Sequence, residues 1–323
     1  MEIINIGIIG MGRIGKIHLE NLITKINGVE VLAVVNPSEN GQEFAKKFGV
    51  PITSSDVSVI FENPEIDAVL ICSPSDTHAD YAMRAAESGK AIFCEKPIDM
   101  SLNRAIQVTA KVKEYNVPMM VAFNRRFDPD FSKIRELVSK GKIGNVQSLH
   151  IISRDPGPPP IDYIKQSGGL FKDMTIHDFD MARYIMGCEV TEVFATGSCM
   201  VDIAIGEAGD IDTAMLILRF ENGATAVIEN SRKAVYGYDQ RLEVFGSKGV
   251  LKIDNPLMTN VSGSDQQGTH SDVNLNFFID RYENSYLIEM EVFIEALANK
   301  TKMPVSGSDG VKAIVLADAA YNN

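Results

Sequence analysis

The chain has 323 residues, room for roughly two domains, with 45% hydrophobic and 23% charged residues and a formal net charge of −12. This composition is that of a globular protein and excludes disordered, collagen-like and membrane-embedded classes. The acidity argues against nucleic acid and anionic membranes as partners, and favours a neutral small-molecule substrate over an acidic one.

No apolar run reaches the roughly 20 residues that cross a bilayer. The apolar start follows Glu2 and not a basic segment, so no signal peptide is expected and a cytoplasmic location is. Cys72, Cys94, Cys188 and Cys199 stand far apart without a CxxC pair, as reduced apolar fillers do; no metal site is expected.

The first stretch with a chemical reading is Ile3 to Asn21. An apolar run to Ile9 reads as a buried strand, breaks at Gly10, Gly12 and Gly15, and resumes with helical spacing at Ile14, Ile17, Leu19 and Leu22. A strand, a glycine turn and a helix in that order make a dinucleotide cradle. The first glycine permits the sharp turn, the second lets backbone N–H groups approach a pyrophosphate, and the third allows close helix–strand packing. The phosphates then lie at the helix N-terminus, with Gly10, Met11, Gly12, Arg13 and Ile14 as the binding residues.

Val29 to Val35 reads as the second parallel strand, ending at Asn36 where a dinucleotide fold usually has Asp or Glu for the adenosine ribose. An amide oxygen still accepts one hydroxyl proton, and no Arg stands beside Asn36 to hold a 2′-phosphate, so NAD is expected in preference to NADP. Phe44 to Phe48 closes a second helix. Ile66 to Cys72 is a third strong strand, running into Ser73-Pro74-Ser75-Asp76-Thr77-His78 and a helix from Asp76 to Ser88. Loops at the carboxyl ends of parallel strands bind ligands, which adds Ser73, Pro74, Thr77 and His78 to the cofactor set; for His78, packing or capping is an equal alternative.

Ala91 to Cys94 leads into Glu95-Lys96-Pro97, where a strand-end Lys beside the expected cleft is a candidate for substrate and cofactor alike. Helix Leu102 to Tyr115 and strand Met119 to Phe123 complete a doubly wound first domain, residues 1–123. Glu95, Lys96 and Asn124 complete the cofactor-binding set.

Residues 124–323 form the expected second domain, for substrate binding and oligomerisation. Asn124 to Pro129 crosses out of the first; a helix follows at Phe131 to Lys140, a strand at Val146 to Ser153, a rigid PGPPP loop at Pro156 to Pro160, and a helical stretch at Leu170 to Met186. Alternating strands follow: Val190 to Val201, Thr213 to Phe220, Ala224 to Ser231, Gln240 to Phe245 and Val250 to Ile253. Asn222-Gly223 and Lys248-Gly249 are hairpin signals, so the sheet is expected to be antiparallel. Met258 to Asn274 reads as irregular, and helices from Ser285 to Asn299 and from Asp309 close the chain.

On the Leu170–Met186 helix, Asp173 and His177 are four apart and share a face. A carboxylate beside an imidazole orients the ring and suits general-base work; the bland alternative is that Asp173 caps the helix and His177 is an ordinary polar residue.

Together, GMGRIG, CSPSDTH, EKP and GGLFKDMTIHDFD resemble the glucose-fructose oxidoreductase, inositol dehydrogenase and related (Gfo/Idh/MocA) family over essentially the whole chain, and Asp173 to Asp180 is similar to the inositol 2-dehydrogenases. The resemblance implies an α/β fold, with an N-terminal Rossmann domain and a C-terminal α+β domain carrying an open, mostly antiparallel sheet. It implies that Lys96, Asp173 and His177 are catalytic, that Pro97 is cis, and that Tyr236 and Tyr238 lie where substrate hydroxyls are reached. Arg125 and Asp155 are weaker substrate-binding candidates. Asn36, and Ser153 before Arg154-Asp155 where inositol enzymes commonly carry His before Arg-Asn, depart from that pattern.

The expected activity is NAD-dependent oxidation of a secondary hydroxyl of a cyclic polyol, myo-inositol first. The alternatives are a pyranose dehydrogenase, an NAD-dependent glycosidase, and a non-catalytic dinucleotide-binding regulator. A homo-oligomer, dimer or tetramer, is expected from an apolar outer sheet face assigned to Val193, Ala195, Ala214, Leu216, Leu218 and Val227.

Overall fold

Six short apolar runs build the first sheet in the computed structural model, which describes residues 3–322. The strands are β1 (Ile4–Ile9), β2 (Val29–Val35), β3 (Ile52–Ser54), β4 (Ala68–Ile71), β5 (Ala91–Glu95) and β6 (Met119–Ala122). They run parallel in the order β3-β2-β1-β4-β5-β6. Parallel strands covered on both faces have no polar side to alternate with, and Ile6, Ile8, Ala68, Val69, Leu70, Ile71, Ile92 and Phe93 are all fully buried. The sheet grows from β1 outward through β2 and then, on the other side, through β4. The switch point between β1 and β4 is where a ligand binds in this topology.

The chain forms two compact units and passes between them three times. The first compact unit runs to Phe127 and also takes Asn284–Ile314; the second is Asp128–Glu283 with the chain from Val315 onward. The expected boundary at 123/124 lies close to the first crossing, but the expected single second domain is interrupted, because helix Glu283–Ala298 packs its apolar side into the first unit. Phe293 meets the edge of Phe93 with ring centroids 5.4 Å apart, and Tyr286 meets His18 at 5.9 Å.

The same helix buries Glu289, whose two carboxylate oxygens have no hydrogen-bond partner. Its Oε1 lies 3.8 Å from Nε2 of His18, which in turn lies 3.2 Å from Oε1 of Glu95. Burial, and then the nearby Glu95 carboxylate, push the Glu289 carboxyl well above the usual range.

The second unit is built on β7 (Val146–Arg154), β8 (Val190–Ser198), β9 (Thr213–Phe220), β10 (Thr225–Ser231), β11 (Asp239–Gly246) and β12 (Gly249–Ile253), ordered β12-β11-β7-β10-β9-β8. The hairpins at Asn222-Gly223 and Lys248-Gly249 form as expected, pairing β9 with β10 and β11 with β12. The sheet is nevertheless mixed: β7 inserts between β10 and β11 and runs parallel to β10. Within the stretch read as irregular, β13 (Ser262–Asp265) and β14 (Gly268–Ser271) form a small exposed hairpin.

The outer-face assignment is corrected. Ala214, Leu216 and Leu218 are almost completely buried, and Val193 and Ala195 pair with Leu218 and Leu216 on that inner face. The open face instead carries Phe194, Met215 and Ile217, each about half exposed, with Val227 opposite Ile217. Every position along β9 from Ala214 to Leu218 is apolar, so alternation separates two faces without saying which is covered.

A carboxyl whose pKa is raised by folding contributes its stability fully below the ordinary carboxylate value and loses it as pH rises toward the folded value. Between those limits one such proton costs about 1.4 kcal/mol per pH unit. Glu289→Gln should therefore flatten the fall of stability above pH 4.5, the ordinary value for this group. Melting temperatures across that range check this, and an unchanged slope in the variant would contradict it.

Candidate active site

The glycine turn has the geometry the dinucleotide reading needs. Gly10 is at φ +99°, and a Cβ there would lie 2.5 Å from the carbonyl oxygen of Cys72. A Cβ on Gly15 would come within 2.0 Å of the Gly10 oxygen. The protein therefore demands glycine at both positions. At Gly12 it does not: a side chain there would meet no protein atom within 4 Å. What a Cβ at Gly12 would obstruct is the space in front of helix Arg13–Thr24, whose N-terminus has no side-chain cap. Uncapped N–H groups facing a space only glycine keeps clear fit a pyrophosphate.

Met11 is buried at this turn, Ile14 half-buried and Arg13 exposed. The Met11 N–H donates to Oδ1 of Asn36 over 2.9 Å, and Asn36 Nδ2 donates to Ser38 Oγ over 2.9 Å. Asn36 thus ties the end of β2 to the glycine turn.

After β4, Ser73 and Thr77 hold each other through their hydroxyls at 2.7 Å, with Pro74 exposed between them. His78 is buried, with Nδ1 2.8 Å from the Pro97 oxygen and Nε2 2.8 Å from the Ser73 oxygen. Both ring nitrogens face backbone carbonyls, so the ring clamps the β4 loop to the residue after Lys96; this is the packing alternative. The Lys96–Pro97 peptide is cis, and Lys96 itself is half-buried. Glu95 turns its carboxylate to His18. Asn124 and Arg125 are buried, and Asn124 bonds Ser285 through its carbonyl oxygen at 2.7 Å.

In the second unit Asp173 and His177 sit on two kinds of helix. Phe171–Thr175 is a π-helical turn, and Ile176–Met186 continues as α-helix. Inserted π turns re-phase the side chains around them and recur at functional sites. Oδ1 of Asp173 accepts from the Tyr163 hydroxyl at 2.8 Å, and Oδ2 accepts from Nη1 of Arg232 at 3.1 Å. Arg232 is 1% exposed and also reaches Oδ2 of Asp210 at 3.5 Å. Burial disfavours its charge, but Asp173, Asp210 and Asp155 more than offset this and raise the guanidinium pKa.

Asp155, half-buried, is held by its main chain to Ser231 and Ala234. Tyr236 is about half exposed; its hydroxyl donates to Oδ2 of Asp239 at 2.6 Å and accepts from Arg154. Burial and the Asp239 carboxylate push the Tyr236 phenol above its usual value, keeping it a neutral donor. Tyr238 is buried against the edge of Tyr282. Ser153 is fully buried, with its hydroxyl 2.6 Å from Asp178 Oδ1.

The structure thus gathers Asp173, Tyr163, Arg232 and Asp210 into one cluster, and Tyr236 with Arg154 and Asp239 into another. Sequence reasoning passed over Tyr163, Arg232 and Asp210. The only signal was positional: Arg232 directly follows a strand, where parallel-sheet logic attends to lysines and arginines but hairpin logic does not.

Two family models match the chain, one described as an oxidoreductase family with an NAD-binding Rossmann fold over residues 4–123, the other as a GFO/IDH/MocA C-terminal domain over residues 131–252. The chain is 49% identical over 316 residues to the myo-inositol 2-dehydrogenase of Thermotoga maritima, covering 98% of this chain and 94% of that protein. It is 44% identical over 321 residues to the inositol 2-dehydrogenase of Rhizobium meliloti, covering 99% and 96%. It is also similar, with a TM-score of 0.93 and 30% identity over 99% of this chain and 96% of the other, to scyllo-inositol dehydrogenase from Lactobacillus casei solved with bound NAD(H) and scyllo-inositol. With both domain models matched and such likeness along its whole length, the chain belongs to the Gfo/Idh/MocA family of oxidoreductases.

Proposed function

We propose that the protein is an NAD-dependent dehydrogenase that oxidises one secondary hydroxyl of a neutral cyclic polyol, acting foremost as a myo-inositol 2-dehydrogenase. What carries this reading is the 49% identity to an inositol dehydrogenase across nearly the whole of both chains. The Gly12 space and the uncapped helix behind it suit the pyrophosphate. The remaining nucleotide contacts come from Gly10, Met11, Arg13, Ile14, Asn36, Ser73, Pro74, Thr77, Lys96 and Asn124, while His78 holds the β4 loop in place and Glu95 faces His18.

NAD, when bound, supplies the hydride acceptor. His177 takes the proton of the reacting hydroxyl. Asp173, with both oxygens already accepting hydrogen bonds, keeps lone pairs for a neighbouring hydroxyl or the imidazole. Lys96 donates to substrate hydroxyls, and Arg125, Asp155 and Tyr236 complete the substrate contacts. Holding adjacent hydroxyls at once fixes the carbon that gives up hydride. The four cysteines stand as separate thiols, which agrees with a cytoplasmic enzyme, and no helix among the described residues is long and apolar enough to cross a membrane.

Removing a positioned general base typically costs about 10²- to 10⁴-fold in rate. His177→Ala should lose that much kcat on inositols while its NAD affinity, read by fluorescence titration, stays near that of the parent; turnover retained on every substrate would overturn the assignment. No Arg follows Asn36 in the sequence to hold a 2′-phosphate, so kcat/KM should be higher with NAD than with NADP. Equal or better efficiency with NADP would reverse that preference.

The half-exposed Phe194, Met215 and Ile217 form a contiguous apolar strip on the open face of the second sheet. A second copy of this chain is the partner proposed for it, giving a dimer or tetramer. Light scattering at micromolar concentration should give a mass above that of one chain, and Ile217→Glu should lower it. A monomeric parent protein would refute the assembly.

A further inference from the structure

We propose that Arg232 is a positioning residue: its buried guanidinium fixes Asp173 as a hydrogen-bond acceptor and thereby leaves the proton-taking role to His177. The inference rests on the proposed catalytic use of Asp173 and His177 and extends it to a residue that touches neither substrate nor cofactor.

A guanidinium that is 1% exposed needs carboxylates to hold its charge, and Arg232 has Asp173 at 3.1 Å and Asp210 at 3.5 Å, while its Nε has no partner. Its main chain is fixed as well, Arg232 N–H donating to the Asp212 oxygen at 2.8 Å. Asp210 meanwhile anchors the start of the π turn, accepting from the Leu170 N–H at 3.0 Å. The guanidinium therefore links the first and middle parts of the segment that presents Asp173.

The charged and titratable groups around Asp173 are Arg232, Asp210, Asp155, Tyr163 and Tyr321 of helix Gly307–Tyr321, with His177 four residues further along the same segment. Among these Arg232 is the permanent cation, set against several carboxylates. Two carboxylates around one guanidinium rely on it to offset their mutual repulsion. With Arg232 in place Asp173 is held by a donor and kept as an acceptor; without it, the Asp173 and Asp210 carboxylates repel each other and the π turn loses its strap.

The test compares Arg232→Met, Arg232→Lys, Asp210→Asn and Asp173→Asn in the full-length enzyme, reading kcat, polyol KM, NAD affinity and the pH profile of kcat/KM. Misplacing a reacting group by about 1 Å can cost 10²-fold, so Arg232→Met should lose roughly 10- to 100-fold in kcat/KM with NAD affinity unchanged. Its acid limb should move to higher pH, because the cation is gone while both carboxylates remain to favour the protonated form of the base. Arg232→Lys should recover part of the loss. Asp210→Asn should move the acid limb the opposite way, to lower pH, since it leaves the whole of the Arg232 charge to Asp173 and still accepts from Leu170.

A merely structural role would not produce shifts of opposite sign. A folded Arg232→Met enzyme with parental kinetics at every pH would overturn the proposal. If Arg232→Met fails to fold, Asp210→Asn decides alone, and an unmoved limb or one moved to higher pH overturns it. Asp173→Asn separates the two levels. Full turnover in that variant sinks the catalytic reading of Asp173, whereas its inactivity combined with unshifted Arg232 and Asp210 variants sinks only the role of Arg232.

Discussion

The close approach of one helix to one strand end governs the first unit. With Gly15 against the Gly10 carbonyl, at a separation where a Cβ would sit 2.0 Å from that oxygen, helix Arg13–Thr24 rests directly on the turn that ends β1. The turn in turn rests on the end of β4, where a Cβ on Gly10 would collide with Cys72. β1 and β4 are the two strands at the switch of chain direction across the sheet, so one contact sets the helix dipole, the turn and the crevice together. Any side chain at either glycine would lift the helix off the strand and carry its free N–H groups away from the space that Gly12 keeps open. The Asn36 amide, bonded to Met11 N–H, braces the same turn from the β2 side.

The second unit solves a different problem, seating a helix on a sheet in a single register. Asp178, fully buried, takes hydrogen bonds from Ser153 on β7 at 2.6 Å and from Asn230 on β10 at 2.8 Å. Ser153 and Asn230 are directly opposite each other in the one parallel pair of this sheet, and Thr175 donates to Asn230 at 2.6 Å. Leaving any of these groups unsatisfied would cost about 1–3 kcal/mol, so a helix shifted along the sheet is penalised several times over in a way that an apolar seam would not impose. Residues two apart on a helix point nearly opposite ways. Thr175 and Asp178 face the sheet, so Asp173 and His177, both half-buried, are presented away from it. Ser153, a departure from the inositol-enzyme pattern, belongs to this anchoring set.

What could be read from the residues follows the range of the interactions. The parallel strands were legible because burial on both faces leaves uninterrupted apolar runs, and the glycine turn because steric demand shows up as residue identity. The two tight hairpins were legible because their turns are local. The insertion of β7 between β10 and β11 was not, since it joins residues 77 or more apart and leaves no mark at either end. Helix Glu283–Ala298 carries apolar residues around most of its circumference, so nothing local assigns it to the first unit. Asp173 and His177 stood out by their spacing, but the π turn that carries Asp173 has no sequence signature. Arg232 looks like any surface arginine until the two carboxylates that neutralise it are seen.

The charge balance of the second unit also bears on substrate class. Arg154 is bonded to Glu229 and Asp239, Arg241 to Asp239, and Arg232 to Asp173 and Asp210. Burial alone would raise the Asp239 pKa, but hydrogen bonds from Arg241, Tyr236 and Asn255 more than offset it and bring it down to about 2. Three guanidinium groups stand near the candidate substrate residues, and each is engaged by carboxylates of the protein itself. Binding a substrate carboxylate through a bidentate fork from this unit would require breaking one of these pairs and leaving a buried acid without its cation, a costly exchange. A hydroxyl makes no such demand: it can donate to a carboxylate such as Asp173 while every internal pair stays intact. Within the second unit these ion pairs therefore favour a neutral, hydroxyl-rich ring over a sugar acid through the cost of the alternative.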